Sequence, residues 1–313
     1  MVPPTNTADL TVVILTYNEE LHIRRAIESA LLVTNKIIIV DSFSTDKTVD
    51  IASNLGANVV QHPFVNQAQQ FQWAMDTGKI TTGWTMRMDA DEYLTDALVQ
   101  EIASRLPSLE QEISGVVLKR QVHFMGRWIK YGGYYPVQLL RIWRTGHAII
   151  EQRWMDEHTL LTKGTSVTFK HDFIDDNLNS LSWWTSKHND YATREAIDIL
   201  IRKYHFEDSS QHHLTLGNAK QAVAKRWYKN NLYLRMPLFL RAFLYFQFRY
   251  WIRLGVLDGR KGLVWHFLQA FWYRFLVDAK ILQIEWWSKT ENKTVKKILE
   301  EKFKFTFQNT EKN

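Results

Sequence analysis

Two carboxylates one residue apart, Asp89 and Asp91, close the run Trp84-Thr85-Met86-Arg87-Met88. At the end of a strand that spacing can hold a hard divalent cation, Mn2+ or Mg2+, against the two phosphates of a diphosphate. Alone, the triplet could equally be the acidic first turn of a helix, where negative charge meets the positive end of the helix dipole. Its place after a buried run favours the metal. A second group, Arg127, Trp128, Tyr131, Gly132, Gly133, Tyr134 and Pro136, forms an aromatic loop hinged on glycines. Aromatic faces stack on sugar rings and an arginine fork grips phosphate, so this loop reads as a sugar-binding wall.

Such residues need a scaffold that brings them to one edge. Leu10–Leu15, Lys36–Val40, Ala57–Val60 and Trp84–Met88 are short apolar runs, and helical spacing separates them at Leu21–Leu32, up to Leu55, over Asn66–Lys79 and over Thr95–Leu106. This alternation predicts an α/β fold, a mostly parallel sheet with helices on both faces. Ligands of such sheets bind at the carboxyl ends of the strands. Asn18 follows the first strand, Asp41 the second, and Asp89 and Asp91 the fourth. From Gly115 to Phe169 short strands are expected (GVVLKRQV, VQLLRIW, TSVTF), and from Asn177 to His205 a long helix.

The 313 residues suffice for one α/β domain, taken as 1–215, and a helical C-terminal region, 216–313. Cysteine is absent, which excludes disulfides, thiolate nucleophiles and cysteine-ligated zinc. The N-terminus lacks the pattern of a signal peptide, and no apolar run is long enough to span a bilayer. The net charge of +6 hides an uneven distribution: residues 221–313 carry 18 Lys/Arg and 7 Asp/Glu, a balance of +11. Within that tail Leu238–Ile252 and Leu263–Ile281 are rich in aromatics. Their composition fits helices lying in an anionic membrane surface, with Arg241, Arg249, Arg253 and Arg274 free to snorkel. A homo-oligomer interface has a similar composition. Nucleic acid is not expected, because the aromatics sit in apolar runs instead of alternating with polar groups.

TVVILTYNEE, IIIVDSFSTDKTVDIA and WTMRMDADEYL, at these separations, resemble the GT-A glycosyltransferases of family 2. NQAQQFQWAMD, FMGRWIKYGGYYPVQLLRIW and RWMDEHTLL are similar to the bacterial branch that contains lipopolysaccharide-core glucosyltransferases of the WaaE type and related capsule enzymes. The resemblance covers residues 10–200, and at 225–287 extends to that branch's aromatic C-terminal extension.

It implies an inverting, metal-dependent transfer of a hexose, glucose in the nearest branch, from a UDP-sugar donor to a lipid-linked glycan acceptor. The setting would be lipopolysaccharide core or capsule/O-antigen assembly, at the cytoplasmic face of the bacterial inner membrane. Carried over, Thr16, Tyr17, Asn18, Glu19 and Asp41 hold the uridine, with a carboxylate accepting the uracil N–H. Ser42 departs from the second Asp common at that position. Asp89 and Asp91 take the metal and Asp89 faces the donor, with His171 as a third ligand. The base that removes the acceptor proton is Glu157 or, second, Asp156. Two other classes stay open: a metal-dependent nucleotidyl- or phosphotransferase, and a non-catalytic membrane-binding protein. No GxxxxGK[ST] phosphate loop supports the former.

Overall fold

A computed structural model describes residues 8–77, 80–151, 158–204, 206 and 233–305. The expected base, Glu157 or Asp156, lies outside the described residues.

The sheet is built around β1 (Leu10–Thr16), which pairs in parallel with β2 (Lys36–Asp41) and with β4 (Trp84–Asp89). β3 (Asn58–Gln61) extends it in parallel beyond β2. Successive side chains of a strand point to opposite faces, and here each face meets its own core. Leu10, Val12 and Ile14, with Ile37 and Ile39, pack on one side with Ile23, Ala26 and Ile27 of α1 (Ile23–Ala30). Val13, Ile38 and Val40 pack on the other with Ala68, Phe71 and Ala74 of α3 (Gln67–Thr77). Burial on both faces is why these strands read as continuous β-branched runs. The short helix α2 (Thr48–Asn54) joins β2 to β3.

After β4 come β5 (Glu92–Leu94), α4 (Asp96–Arg105), β6 (Ile113–Phe124), β7 (Arg127–Trp128), β8 (Val137–Arg144), β9 (Ala148–Ile150), β10 (Thr159–Leu161) and β11 (Thr165–Asp176). The large sheet has the order β3-β2-β1-β4-β8-β6-β11-β5, with β7 paired to β6, while β9 and β10 form a separate pair. β8 is antiparallel to both β4 and β6, and β11 is parallel to β6. β4 and β11 therefore end at the same edge. The latter strands run longer than the short strands expected: β6 and β11 have 12 residues each.

The chain divides into two compact units. Among the described residues the first runs to Asn179 and includes Val256–Gly262; the second holds the remainder. The boundary therefore falls before 215. α5 (Leu181–Lys203), assigned from sequence to the catalytic domain, packs Ala192, Ala196 and Leu200 in one core with Val277, Ile281 and Ile284 of α8 (Tyr273–Thr290) and Leu299 of α9 (Val295–Phe303). α6 (Leu240–Gln247) and α7 (Gly259–His266) complete the described helices, with π-helical stretches at Phe248–Ile252 and Phe267–Trp272.

Two of the four arginines expected to snorkel do not. Arg241 is buried against Asp278, Nε to Oδ1 at 2.8 Å, and Asp278 also accepts the Phe239 N–H. Arg274 Nη1 donates to Glu195 at 2.6 Å, and the Tyr273 hydroxyl donates to the same carboxylate. An apolar run cannot show which of its cations meets an acid from another helix. Among the described residues no helix is long and apolar enough to cross a membrane.

Candidate active site

The loops at the carboxyl ends of β1 and β2 are interlocked by hydrogen bonds. Asn18, at φ 54°, donates its N–H to Ser44 Oγ (2.8 Å) and accepts the Thr45 N–H at Oδ1 (2.8 Å). The Glu19 N–H donates to Thr48 Oγ1, and Glu19 Oε2 lies 2.6 Å from His22 Nδ1. His22 Nε2 in turn accepts the Leu178 N–H, tying α1 to the segment after β11. Asn tolerates the left-handed backbone, so one residue turns the chain and binds its neighbour. Tyr17 and Phe43 stand exposed on these two loops.

Asp41 is fully buried. Oδ1 accepts from Thr16 Oγ1 (3.0 Å) and Ser44 Oγ (2.5 Å), and Oδ2 from the Ser44 N–H (2.8 Å) and Gln61 Nε2 (3.3 Å). A carboxylate has about four acceptor sites, and all four are used here. Thr16 and Asp41 therefore order the loop.

At the end of β4, Asp89 lies beside two guanidiniums, Arg87 Nε at 3.4 Å and Arg141 Nη2 at 3.3 Å. Burial alone would raise its carboxyl; the charges of Arg141 and Arg87 outweigh that and hold it well below the usual range. The Asp89 N–H donates to Glu92 Oε2, and Glu92 Oε1 takes Arg141 at 2.5 Å. Asp91 Oδ2 accepts from Asn177 Nδ2 (3.0 Å). Arg25, lying over the Tyr93 ring, bonds both Asp176 Oδ2 (2.9 Å) and the carbonyls of Asp91 and Asp176. It clamps the end of β11 to the acidic turn.

That clamp brings in a carboxylate absent from the sequence reading. Asp175 pairs with Glu92 in register and lies 3.3 Å from Arg120. Burial pushes its pKa up to about 6, and the charges of Asp91 and Asp89 add to the rise. His171 is corrected in the same stroke. β11 continues past it, so His171 stands about 13 Å of strand before Asp175, where its Nδ1 meets Glu101 of α4 at 2.9 Å. The backbone N–H groups of Lys170 and His171 also donate to Glu101. His171 thus fastens β11 to α4 and is not brought to the Asp89–Asp91 turn. Among the described residues no group of three or more His, Asp or Glu is arranged to hold a metal ion.

The aromatic loop is braced from two sides. Gly132 and Gly133 adopt φ 66° and 73°, which lets the chain reverse after Tyr131. Trp128 meets Tyr135 edge to face at 5.0 Å, with the Lys130 ammonium over the Trp128 ring. The Tyr135 hydroxyl donates to Asp172 Oδ2 at 2.8 Å, and burial with that carboxylate pushes its pKa up to about 12. Buried Asp258 accepts the Lys130 and Tyr131 N–H groups, and the Tyr134 N–H closes a turn onto Tyr131 O. Arg127 reaches Leu257 O at 3.5 Å. Sequence reasoning missed Tyr135, Asp172 and Asp258, the last because it lies 127 residues beyond Tyr131.

The structure thus gathers loops, acids and arginines at the carboxyl edge of an α/β sheet, where ligands of such sheets bind. The family model "Glycosyl transferase family 2" matches residues 11–175, more than half of the chain, and the chain belongs to that family. It is 40% identical over 106 residues to an uncharacterized glycosyltransferase of Rickettsia bellii, covering 34% of this chain and 35% of that one. A counterpart in Rickettsia typhi is 39% identical over 99 residues, 32% of this chain and 33% of that one. The match spans about a third of these relatives' length. Among solved structures, S. aureus TarS 1-349 in complex with UDP-GlcNAc is similar at 13% identity and TM-score 0.43, covering 91% of this chain and 92% of that one. Glucosyl-3-phosphoglycerate synthase from Mycobacterium tuberculosis, in complex with Mn2+, UDP and glucosyl-3-phosphoglycerate, is similar at 22% identity and TM-score 0.28, covering 38% of this chain and 45% of that one.

Proposed function

We propose that this family 2 glycosyltransferase is an inverting, metal-dependent enzyme that moves a hexose, glucose by its sequence resemblance to the WaaE-type branch, from a UDP-sugar. The acceptor is a lipid-linked glycan of lipopolysaccharide core or capsule/O-antigen assembly. One observation carries the metal and donor reading: the carboxylates of Asp89 and Asp91 and that of Asp175, paired in register with Glu92, come together at the edge where β4 and β11 end. Negative charge accumulated at one point is relieved by a cation. Asp91 and Asp89 would hold it, and the ion would neutralise the leaving diphosphate. Buried Arg120 Nε and Arg141 Nε, which have no hydrogen-bond acceptor among the described residues, suit an anionic donor. Tyr17 and Phe43 offer faces to the uridine. Trp128, Tyr131, Tyr134 and Arg127 wall the sugar and acceptor, and Glu157, or Asp156, takes the acceptor proton.

The test is thermal melting with UDP and Mn2+. A ligand at a hundred times its dissociation constant adds about 2.7 kcal/mol to stability, a shift of several degrees. UDP with Mn2+ should raise the melting temperature, and neither alone should match it. Glu157→Gln should keep that shift while losing transfer. No shift in the wild type with any UDP-sugar and metal would sink the reading.

The helical unit supports a membrane role. Leu240, Phe243 and Leu244 of α6 are exposed, and so are Phe248, Trp251 (55%) and Ile252 (72%) on the π-helical turn that follows. Exposed Arg253 lies beside them. This face would hold the enzyme on anionic lipid at the cytoplasmic surface of the inner membrane. Burying a large apolar side chain contributes about 1.5–3 kcal/mol, so Trp251→Ser with Ile252→Ser should weaken co-sedimentation with phosphatidylglycerol vesicles at least about tenfold. If the wild type stays in the supernatant and elutes as a stable oligomer, the face is an assembly interface instead.

A further inference from the structure

At the turn between β6 and β7, Gly126 and Arg127 line a cleft of ≈320 Å³ together with Arg260 and Lys261. All four lie in the first unit. The cleft has room for about ten water molecules. Three of its four lining residues are cations and none is an acid. Lys261 Nζ donates to the Met125 carbonyl at 2.5 Å, and Arg127 Nη2 reaches only the Leu257 carbonyl at 3.5 Å. Among the described residues these cations meet neutral carbonyls and pair with no carboxylate. Asp258, the acid nearest in sequence, is buried with its oxygens on the Lys130 and Tyr131 N–H groups.

Space is open above the backbone here. Gly126 has φ 70°, and a Cβ there would meet nothing within 4 Å; at Gly259, φ 71°, it would lie 3.7 Å from Arg127 Cζ. The guanidinium of Arg127 therefore rests on the first turn of α7. Two guanidiniums and an ammonium form a donor set matched to phosphate oxygens.

We propose that this cleft binds a phosphoryl group, with a diphosphate as its best fit by charge. The binding does not depend on the transferase reading; that reading bears only on where the group comes from. A diphosphate linking glycan to lipid and an anionic lipid headgroup share the chemistry, and the experiment separates them.

The full-length protein is titrated calorimetrically with sodium pyrophosphate at low ionic strength, where screening is weak. EDTA is present, so that the acidic turn of Asp89 and Asp91 has no metal to attract the anion. The wild type should bind, and Arg260→Gln with Lys261→Gln should bind at least about tenfold more weakly, because two charge-assisted hydrogen bonds to the anion are removed. Pyrophosphate should also shield Lys261 of the wild type from acylation, measured by mass spectrometry, a readout that needs no variant. Equal binding by wild type and variant, no binding by the wild type at millimolar pyrophosphate, or an unshielded Lys261 would each overturn the proposal. Sedimentation with neutral vesicles carrying either a polyprenyl diphosphate or phosphatidylglycerol then names the source, by which of the two the variant ceases to retain. Pyrophosphate binding without any shift from UDP and Mn2+ would remove the transferase reading and leave the cleft standing.

Discussion

Asp91→Asn is expected to cut turnover at least about a hundredfold while melting within a degree or two of the wild type. The loss corresponds to about 2.7 kcal/mol of transition-state stabilisation, modest for one charged ligand of a metal that neutralises a leaving diphosphate. The fold should hold, because Asp91 makes its side-chain bond to Asn177 Nδ2, and the amide oxygen of Asn accepts that bond equally. Asp89 offers no such clean separation. It sits against Arg87 and Arg141, and removing its charge leaves buried cations short of a partner. Asp91→Asn has a second signature away from catalysis. The negative charge of Asp91 helps raise Asp175, so its removal should lower the Asp175 pKa from about 6 toward the ordinary carboxylate value, measured by carboxyl carbon NMR. Near-normal turnover would take the acidic turn out of the mechanism. An unmoved Asp175 would mean that the two groups are not electrostatically joined.

The largest stability effect should come from Arg241→Gln. Breaking a buried ion pair by removing one partner costs about 3–5 kcal/mol, because the other charge stays buried and unpaired. A domain loses several degrees of melting temperature per kcal/mol, so the second unit should melt at least about 10 °C lower. Asp278 would keep only the Phe239 N–H. Replacing both partners, Arg241→Met with Asp278→Leu, should recover part of that loss, since an apolar pair of similar volume restores packing. Full recovery is not expected, for the Phe239 N–H then lacks its acceptor. Differential scanning calorimetry decides the matter: a melting temperature within one degree of the wild type for Arg241→Gln would show that the pair contributes nothing. The pair also explains why vesicle binding is better tested at Trp251 and Ile252, since loss of Arg241 would unfold the face under study.

What could be read in the sequence was what neighbours in the chain determine. β1, β2 and β4 are legible because apolar runs buried on both faces look alike in any protein with this architecture, and β3, a half-buried edge strand, by its short apolar run. The places of Asn18, Asp41 and Asp89 at strand ends followed directly. His171 was misplaced because local pattern shows where a strand begins more clearly than where it stops; Asp175 and Asp176, at the true end of β11, were overlooked for the same reason. Asp41 was rightly put on its loop, but its four hydrogen bonds come from Thr16, Ser44 and Gln61. No spacing rule predicts that three separate segments converge on one carboxylate. Arg25 and Arg241 illustrate the limit: a charged residue on a helix looks solvent-exposed until its partner from another element is known.

Asp258 has a consequence for how such a chain can be inherited. It belongs, with Val256–Gly262, to the unit that carries the sheet, although residues on both sides of that segment belong to the helical unit. A recombination event that joined this sheet to a foreign tail at any single point before 256 would deliver the strands without the carboxylate that holds Lys130 and Tyr131. The two units are therefore not exchangeable modules. Substitutions in the 126–136 loop and at 256–262 should be tolerated only in matched pairs, so the history of the tail is tied to that of the aromatic wall.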